Sequence, residues 1–214
     1  MDSLENLAVL SPEFYARSPL AVARELIGKI LVHRSEAGLS AGRIVECEAY
    51  LGRGDPASHA SRGRTPRNGV MFGPPGVGYV YFNYGMHHLF NVVADEPGKA
   101  GAVLIRAVEP LAGLELMTRR RGREDPLCLC SGPGKLAQAF DITDRHNGFP
   151  VTSGPLTVRW AEEVPNEEIK ISSRIGISDA TERLWRFFMA ANPHVSQRSG
   201  PITRSAKVLA ELSA

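Results

Sequence analysis

Apolar and polar residues alternate along two early stretches of the chain, 29–35 and 42–50. Only Ala-Gly-Leu-Ser and the residues beside it separate them, so they predict an antiparallel hairpin. Upstream, Ser11-Pro12 and Ser18-Pro19 each set an N-cap residue before a proline at the first helical position. The second of these helices is expected to stop at Gly28. Alternation returns at 77–83 and 88–94, on either side of a short tip, and predicts a second hairpin. A further strand is expected at 103–108. Residues 110–120 carry Leu111, Leu114 and Met117 at helical spacing, which predicts a helix. Ser131-Gly132-Pro133 is expected to open another, running through Phe140, and shorter strands are expected near 156–160, 168–177 and 184–190.

No repeat or linker interrupts this order. The pattern predicts one α+β domain over residues 1–214, built on a curved, mainly antiparallel sheet with peripheral helices. Between the hairpins lies an irregular stretch, 51–76, rich in Gly, Pro, Ser and Arg. Loops of that length in a compact domain are usually functional.

Composition narrows the setting. Hydrophobic residues are 43% and charged residues 22% of the 214, as in ordinary globular proteins. No apolar run approaches the roughly 18 residues that cross a bilayer. The start, MDSLENLAVL, lacks the basic-then-apolar order of a signal peptide. A cytoplasmic protein, nucleoid-associated in a bacterium, is expected, with no membrane partner and as a monomer. The three cysteines, Cys47, Cys128 and Cys130, contain no CxxC pair, which argues against a disulfide framework and structural zinc. Net charge is only +2, but it is unevenly spread. Arg62, Arg64 and Arg67 lie in a stretch without acids, and Arg119, Arg120, Arg121 and Arg123 form a second cluster. Either could pair with phosphates or carboxylates, or be a solvated face.

Three groups of residues could carry chemistry. Strand alternation puts Glu46, Glu48 and Tyr50 on one face, and Val45, Cys47 and Ala49 on the other. Two glutamates so placed imply a wet face or assigned partners. One of them could take a proton from an attacking water. Tyr79 and Tyr81 share a face and suit either a core or a pocket, while Tyr84 sits at a hairpin tip. An aromatic there could fill the hole left by a base flipped out of a duplex. Third, His59, His87 and His88 raise the possibility of a metal, but the HExxH spacing is absent. Ser131 through Lys135 resembles a phosphate loop only loosely, although Ser131 and the following amides could hold one phosphate.

Taken together, these motifs resemble the alkyladenine (3-methylpurine) DNA glycosylases. The resemblance rests on RIVECEAYLG at 43–52, His59, TPRN at 65–68, MFGPPG at 71–76, YVYFNYGM at 79–86, Asn91, LIRAVEPLAGLE at 104–115 and CSGPGKL at 130–136. It spans nearly the whole chain. It implies a monofunctional glycosylase, without metal or organic cofactor, acting on double-stranded DNA that contains damaged purines. Glu48 is similar to the family's general base, and Arg106 to the residue that secures it. Tyr50, His59 and Tyr81 match the pocket around the flipped base. Asn91 matches the residue that crowds the amino group of normal guanine. Tyr84 matches the intercalating residue on a protruding hairpin, with Met86 beside it. Thr65, Arg62, Arg64, Arg67, Ser131 and Lys135 are the expected DNA contacts. The missing basic N-terminal extension of animal members suggests a bacterial form.

Two other readings stay open: a non-catalytic nucleic-acid-binding module, and a metal-dependent hydrolase using His59, His87 and His88. No lysine falls between Arg43 and Asn91, so no Schiff-base lyase chemistry is expected.

Overall fold

The computed structural model describes residues 4, 6–83, 85–196 and 204–205. Two short helices open the chain, α1 (Pro12–Tyr15) and α2 (Pro19–Leu26). Both begin at the predicted Ser-Pro pairs, and the Ser18 hydroxyl accepts from Leu20 N–H. Then come β1 (Ile30–Ser35) and β2 (Gly38–Leu51), β3 (Gly78–Asn83) and β4 (His87–Val93), and β5 (Gly101–Ala112). Helices α3 (Leu114–Arg121) and α4 (Pro133–Ala139) follow. Short strands β6 (Leu156–Arg159), β7 (Ile169–Ser172), β8 (Arg186–Met189) and β9 (Arg204–Ser205) complete the order. This is the expected α+β arrangement.

All recorded pairings are antiparallel, and the main path runs β3-β4-β5-β2-β8-β7-β9, with β1 pairing β2 and β6. The 14-residue β2 organises the sheet. One edge pairs with β5 throughout, while the other is shared by β1 at 38–43 and β8 at 46–48. That branching curls the sheet. The main core lies on its inner face, where Ile44, Cys47 and Ala49 meet Phe90, Ile105, Leu136 and Phe187.

Two expectations are corrected. The helix predicted at 110–120 starts only at Leu114. Strand β5 continues to Ala112, whose partner is Ala41, so ladder pairing overrides the helical spacing of the leucines. Leu111 and Leu114 are exposed, and only Met117 of that stripe is buried. Gly113 makes the change of direction at φ 78°, where a Cβ would sit 2.1 Å from the Leu39 carbonyl oxygen. The second correction concerns Val45. It packs with Ala107, Phe188 and Val195, away from the cluster that takes Cys47 and Ala49. Register shifts flank Glu46, leaving Val45 as an extra residue on β2 and Arg106 as an extra on β5.

Behind β3 lies a pair of histidines. His33 Nδ1 donates to the Phe140 carbonyl at 2.5 Å. Thr143 N–H donates to His146 Nδ1 at 3.1 Å, which leaves His146 Nε2–H to donate to His33 Nε2 at 3.3 Å. Burial, the largest influence, holds both below the ordinary 6.5; the Phe140 and Thr143 carbonyls and nearby Asp141 only partly oppose it. Folded-state values below the unfolded value mean that the native state resists protonation. Its stability is therefore full above about pH 6.5 and falls as pH drops through the lowered values. Urea midpoints taken between about pH 7.5 and pH 5 are expected to fall more for the parent than for His146→Gln. Equal falls would show that this pair does not govern the acid sensitivity.

Candidate active site

The sheet register assembles the site. Glu48 pairs with Leu104, Leu104 with Asn91, and Asn91 with Tyr79, giving one row across β2, β5, β4 and β3. Beside it, Tyr50 pairs with Ala102. Cross-strand partners share a face of the sheet. Tyr50, Ala102, Leu104, Asn91 and Tyr79 accordingly line one cavity of about 620 Å³. His59 and Tyr81 also line it, as do Arg106, His87, residues 132–135 from the start of α4, and 175–177 from the loop after β7. The small side chain of Ala102 leaves room above the floor.

Under that floor lie the two glutamates, both fully buried. The strand face is thus neither wet nor apolar: each carboxylate has assigned partners. Arg106 joins them, donating Nε to Glu46 Oε1 at 3.1 Å and Nη1 to Glu48 Oε2 at 3.2 Å. As the extra residue of its bulge, Arg106 reaches both without a place in the ladder. Burial opposes the Arg106 charge, but Glu48, Glu46 and Tyr50 outweigh it and hold its pKa above the ordinary value.

The glutamates differ in what holds them. Glu46 Oε1 accepts from Arg106, from Arg186 Nε at 2.7 Å and from the Ser196 hydroxyl at 2.9 Å; Oε2 accepts Ser196 N–H at 2.7 Å. Neither Arg186 nor Ser196 lines the cavity. Glu48 accepts three: Arg106 and the Tyr50 hydroxyl (2.8 Å) on Oε2, and Ile175 N–H (2.7 Å) on Oε1. All three of these partners line the cavity, so Glu48 stands immediately behind its wall.

The rings are held as neutral groups. Burial, with the charge of Glu48, pushes the Tyr50 phenol well up, so it donates to Glu48 as a phenol. Burial raises Tyr79 to about 12 against Arg67, and burial first, then Tyr79 and Glu48, raises Tyr81 to about 12. Burial first, then Arg67, lowers His59. Its Nδ1 lies 2.9 Å from the Tyr79 hydroxyl, and its ring meets Tyr81 edge-on at 4.6 Å. Asn91 donates Nδ2 to the Tyr79 carbonyl at 3.1 Å, which fixes the direction of its oxygen.

The expected DNA-contacting residues are less uniform. Arg62, Arg64, Thr65 and Arg67 are exposed, and Met86 is 68% exposed at the β3–β4 turn. Thr65 also has a local duty. It exchanges bonds with Asn68, whose Nδ2 donates to the His59 and Gly63 carbonyls, so TPRN is a loop staple. Lys135 donates to the Ser131 hydroxyl at 3.4 Å, at the cavity edge. Tyr84 lies outside the described residues. In the second arginine cluster, Arg120 is tied to Ser35, Ser40 and the Ala139 carbonyl, and Arg121 to the Leu129 carbonyl and Gln138. Those two brace α3 against its neighbours; Arg119 and Arg123 are exposed.

Two features escaped the sequence reading: the hold of Arg186 and Ser196 on Glu46, and a buried Asp55–Arg174 pair joined by two bonds of 2.7 Å. Asp55 could have been suspected as an acid inside an arginine-rich loop. Arg174 left no signal, because the strand expected at 168–177 ends at Ser172. As to metals, the described residues hold no group of three or more His, Cys, Asp or Glu placed to share one. Nor is any helix among them long and apolar enough to cross a membrane.

With this geometry in view, comparison with known proteins is informative. Residues 13–193 match the family model described as methylpurine-DNA glycosylase. The chain is 48% identical over 200 residues to a protein of Chlorobaculum tepidum named "Putative 3-methyladenine DNA glycosylase", covering 92% of this chain and 96% of that one. Proteins with the same name from Methanoculleus marisnigri and Rhodopseudomonas palustris are each 50% identical, over 192 and 188 residues. Those matches cover 88% of this chain in both cases, and 99% and 90% of the relatives.

Proposed function

Because the chain belongs to the methylpurine-DNA glycosylase family, we propose that it is a monofunctional DNA glycosylase of base excision repair. It takes alkylated or deaminated purines, such as 3-methyladenine, 7-methylguanine, hypoxanthine and ethenoadenine, out of the duplex. It then hydrolyses the N-glycosidic bond and leaves an abasic site. The observation that carries the mechanism is that Tyr50, Arg106 and Ile175, the partners bonded to Glu48, all line the cavity, whereas Glu46 is held by Arg186 and Ser196, which do not.

Glu48 takes the proton of a water as that water attacks C1′ of the flipped nucleotide. Arg106 and Tyr50 orient the carboxylate. The purine stacks among Tyr50, Tyr81 and His59, with Asn91 crowding the amino group of guanine. A cationic alkylated base leaves readily, and rings attract it. A neutral one such as hypoxanthine needs hydrogen bonds or a proton on the leaving base. Lesions also pair poorly, so they cost less to extrude.

Release of base from a duplex bearing hypoxanthine, and from methylated DNA, with EDTA present, tests this reading. Release is expected from at least methylated DNA. Tight duplex binding without release from either substrate would favour the binding-module alternative, and loss of activity in EDTA the metal-dependent one. The absence of lyase activity is a separate expectation. Lys135 reaches the cavity edge although it lies far from the Arg43–Asn91 block. Borohydride trapping on an abasic duplex is expected to yield no adduct; an adduct lost in Lys135→Ala would make the enzyme bifunctional.

Two binding results are expected. Tyr84→Ala weakens lesion-specific affinity by roughly 1–3 kcal/mol, the scale of base–aromatic stacking; unchanged affinity would remove Tyr84 from the wedge role. Arg62, Arg64 and Arg67 each contribute about one unit to the slope of log K against log salt. Titrations of single alanine variants check that, and an unaltered slope would take the residue off the DNA path.

A further inference from the structure

The buried ion pair that joins the long loop to the turn after β7 has no part in the mechanism so far. Arg174 is 4% exposed and Asp55 is fully buried. Arg174 Nη1 and Nη2 each bond an Asp55 oxygen at 2.7 Å, and Nη1 also donates to the Ala49 carbonyl at 3.0 Å. Asp55 Oδ2 in turn accepts Leu51 N–H at 3.1 Å. One fork thereby grips the backbone on both sides of Tyr50. The guanidinium also lies 4.6 Å from the centroid of the Tyr50 ring and 5.0 Å from that of Trp185. Tyr50 lines the cavity and Arg174 does not, so the cation backs the ring from beneath. The next residue in the chain, Ile175, sends its N–H to Glu48 Oε1 at 2.7 Å.

Burying two charges is costly, and an apolar pair of like volume is often as stable. Stability alone therefore gives little reason for this pair. Its geometry offers another. A planar fork fixes a neighbour's direction as well as its distance. Here it fixes a ring and an amide, and both act on the groups that the proposed reaction needs.

We propose that Asp55 and Arg174 are positioning residues, which hold Tyr50 as the platform for the extruded base and aim Ile175 N–H at Glu48. The inference rests on the glycosylase reading above. The clamp thus couples the loop at 52–58 to the proton acceptor. Without it, Tyr50 loses its backing and Glu48 loses a donor to its charged form.

The test uses three variants of the full chain: Asp55→Asn, Arg174→Lys and Asp55→Glu. The last keeps the charges balanced and is the least prone to unfold. Single-turnover excision is measured together with the active fraction, affinity for undamaged duplex and affinity for a duplex with an uncleavable lesion analogue. The rate constant per active molecule is expected to fall at least about tenfold in Asp55→Asn and Arg174→Lys, with Asp55→Glu intermediate. Lesion-over-normal discrimination should also narrow. Affinity for undamaged duplex should be unchanged, since the exposed arginines supply it. A fall in active fraction alone, with the rate constant and lesion discrimination of the parent, would overturn the proposal and leave a structural pair. If the first two variants fail to fold, Asp55→Glu decides by the same measures. Failure of the parent to release base would refute the underlying reading instead, and is seen separately.

Discussion

Glu48→Gln is expected to abolish base release while the lesion duplex is still bound. The amide keeps the size of the side chain, and its oxygen can still accept from Tyr50 and Arg106. What it loses is the acceptor for Ile175 N–H and the ability to take a proton. General-base contributions are typically 10²–10⁴-fold, so single-turnover rates should fall by at least about that much. Affinity for an uncleavable lesion analogue should stay within a few-fold, because Tyr50, His59, Tyr81 and Asn91 are untouched. Glu46→Gln supplies the contrast. Its other partners, Arg186 and Ser196, do not line the cavity, so its effect on rate should be far smaller at a temperature where it is folded. If Glu46→Gln were the inactive variant and Glu48→Gln turned over normally, the two roles would have to be exchanged.

The second large effect is expected at Arg106. Arg106→Leu removes the charge between two buried carboxylates and leaves Glu48 without a cationic partner. Glu46 retains Arg186. Breaking one side of a buried ion pair typically costs about 3–5 kcal/mol, because the remaining charge is uncompensated. Chemical denaturation should show a loss of that size, and excision should fall even where the protein is folded. The combined variant Arg106→Leu/Glu48→Leu removes the unpaired charge as well. It should regain much of the stability but none of the activity. Equal destabilisation in both would mean that packing, rather than charge, sets the cost.

Much of this molecule is legible in its sequence where local rules and tertiary packing agree. Ser18-Pro19 starts a helix, and alternation over 45–50 marks a strand in which Glu48 and Tyr50 share a face. The same alternation misassigns Val45, because a bulge is a register event between two strands and period-two counting within one strand cannot detect it. Leu111, Leu114 and Met117 have helical spacing, yet Ala112 pairs with Ala41, a contact 71 positions away (112 minus 41). The Glu46–Arg106–Glu48 arrangement was half readable. Arg106 followed from resemblance, whereas the engagement of Glu46 by Arg186 and Ser196 depends on segments about 140 and 150 residues downstream. The Asp55–Arg174 clamp joins positions 119 apart and has no local signature.

The row of paired residues also bears on how this protein can change over generations. The proposed proton acceptor, Glu48, and Arg106 beside it stand on paired interior strands, where a shift of one residue would turn the side chain to the other face. His59, proposed to stack on the base, and the arginines proposed to contact DNA stand instead on a loop held by side chains such as Asn68. Substitutions there can retune which lesions are accepted without disturbing the strands beneath. Diversification of substrate range is therefore open to this scaffold by drift in one loop, whereas a new chemistry would require rebuilding the sheet.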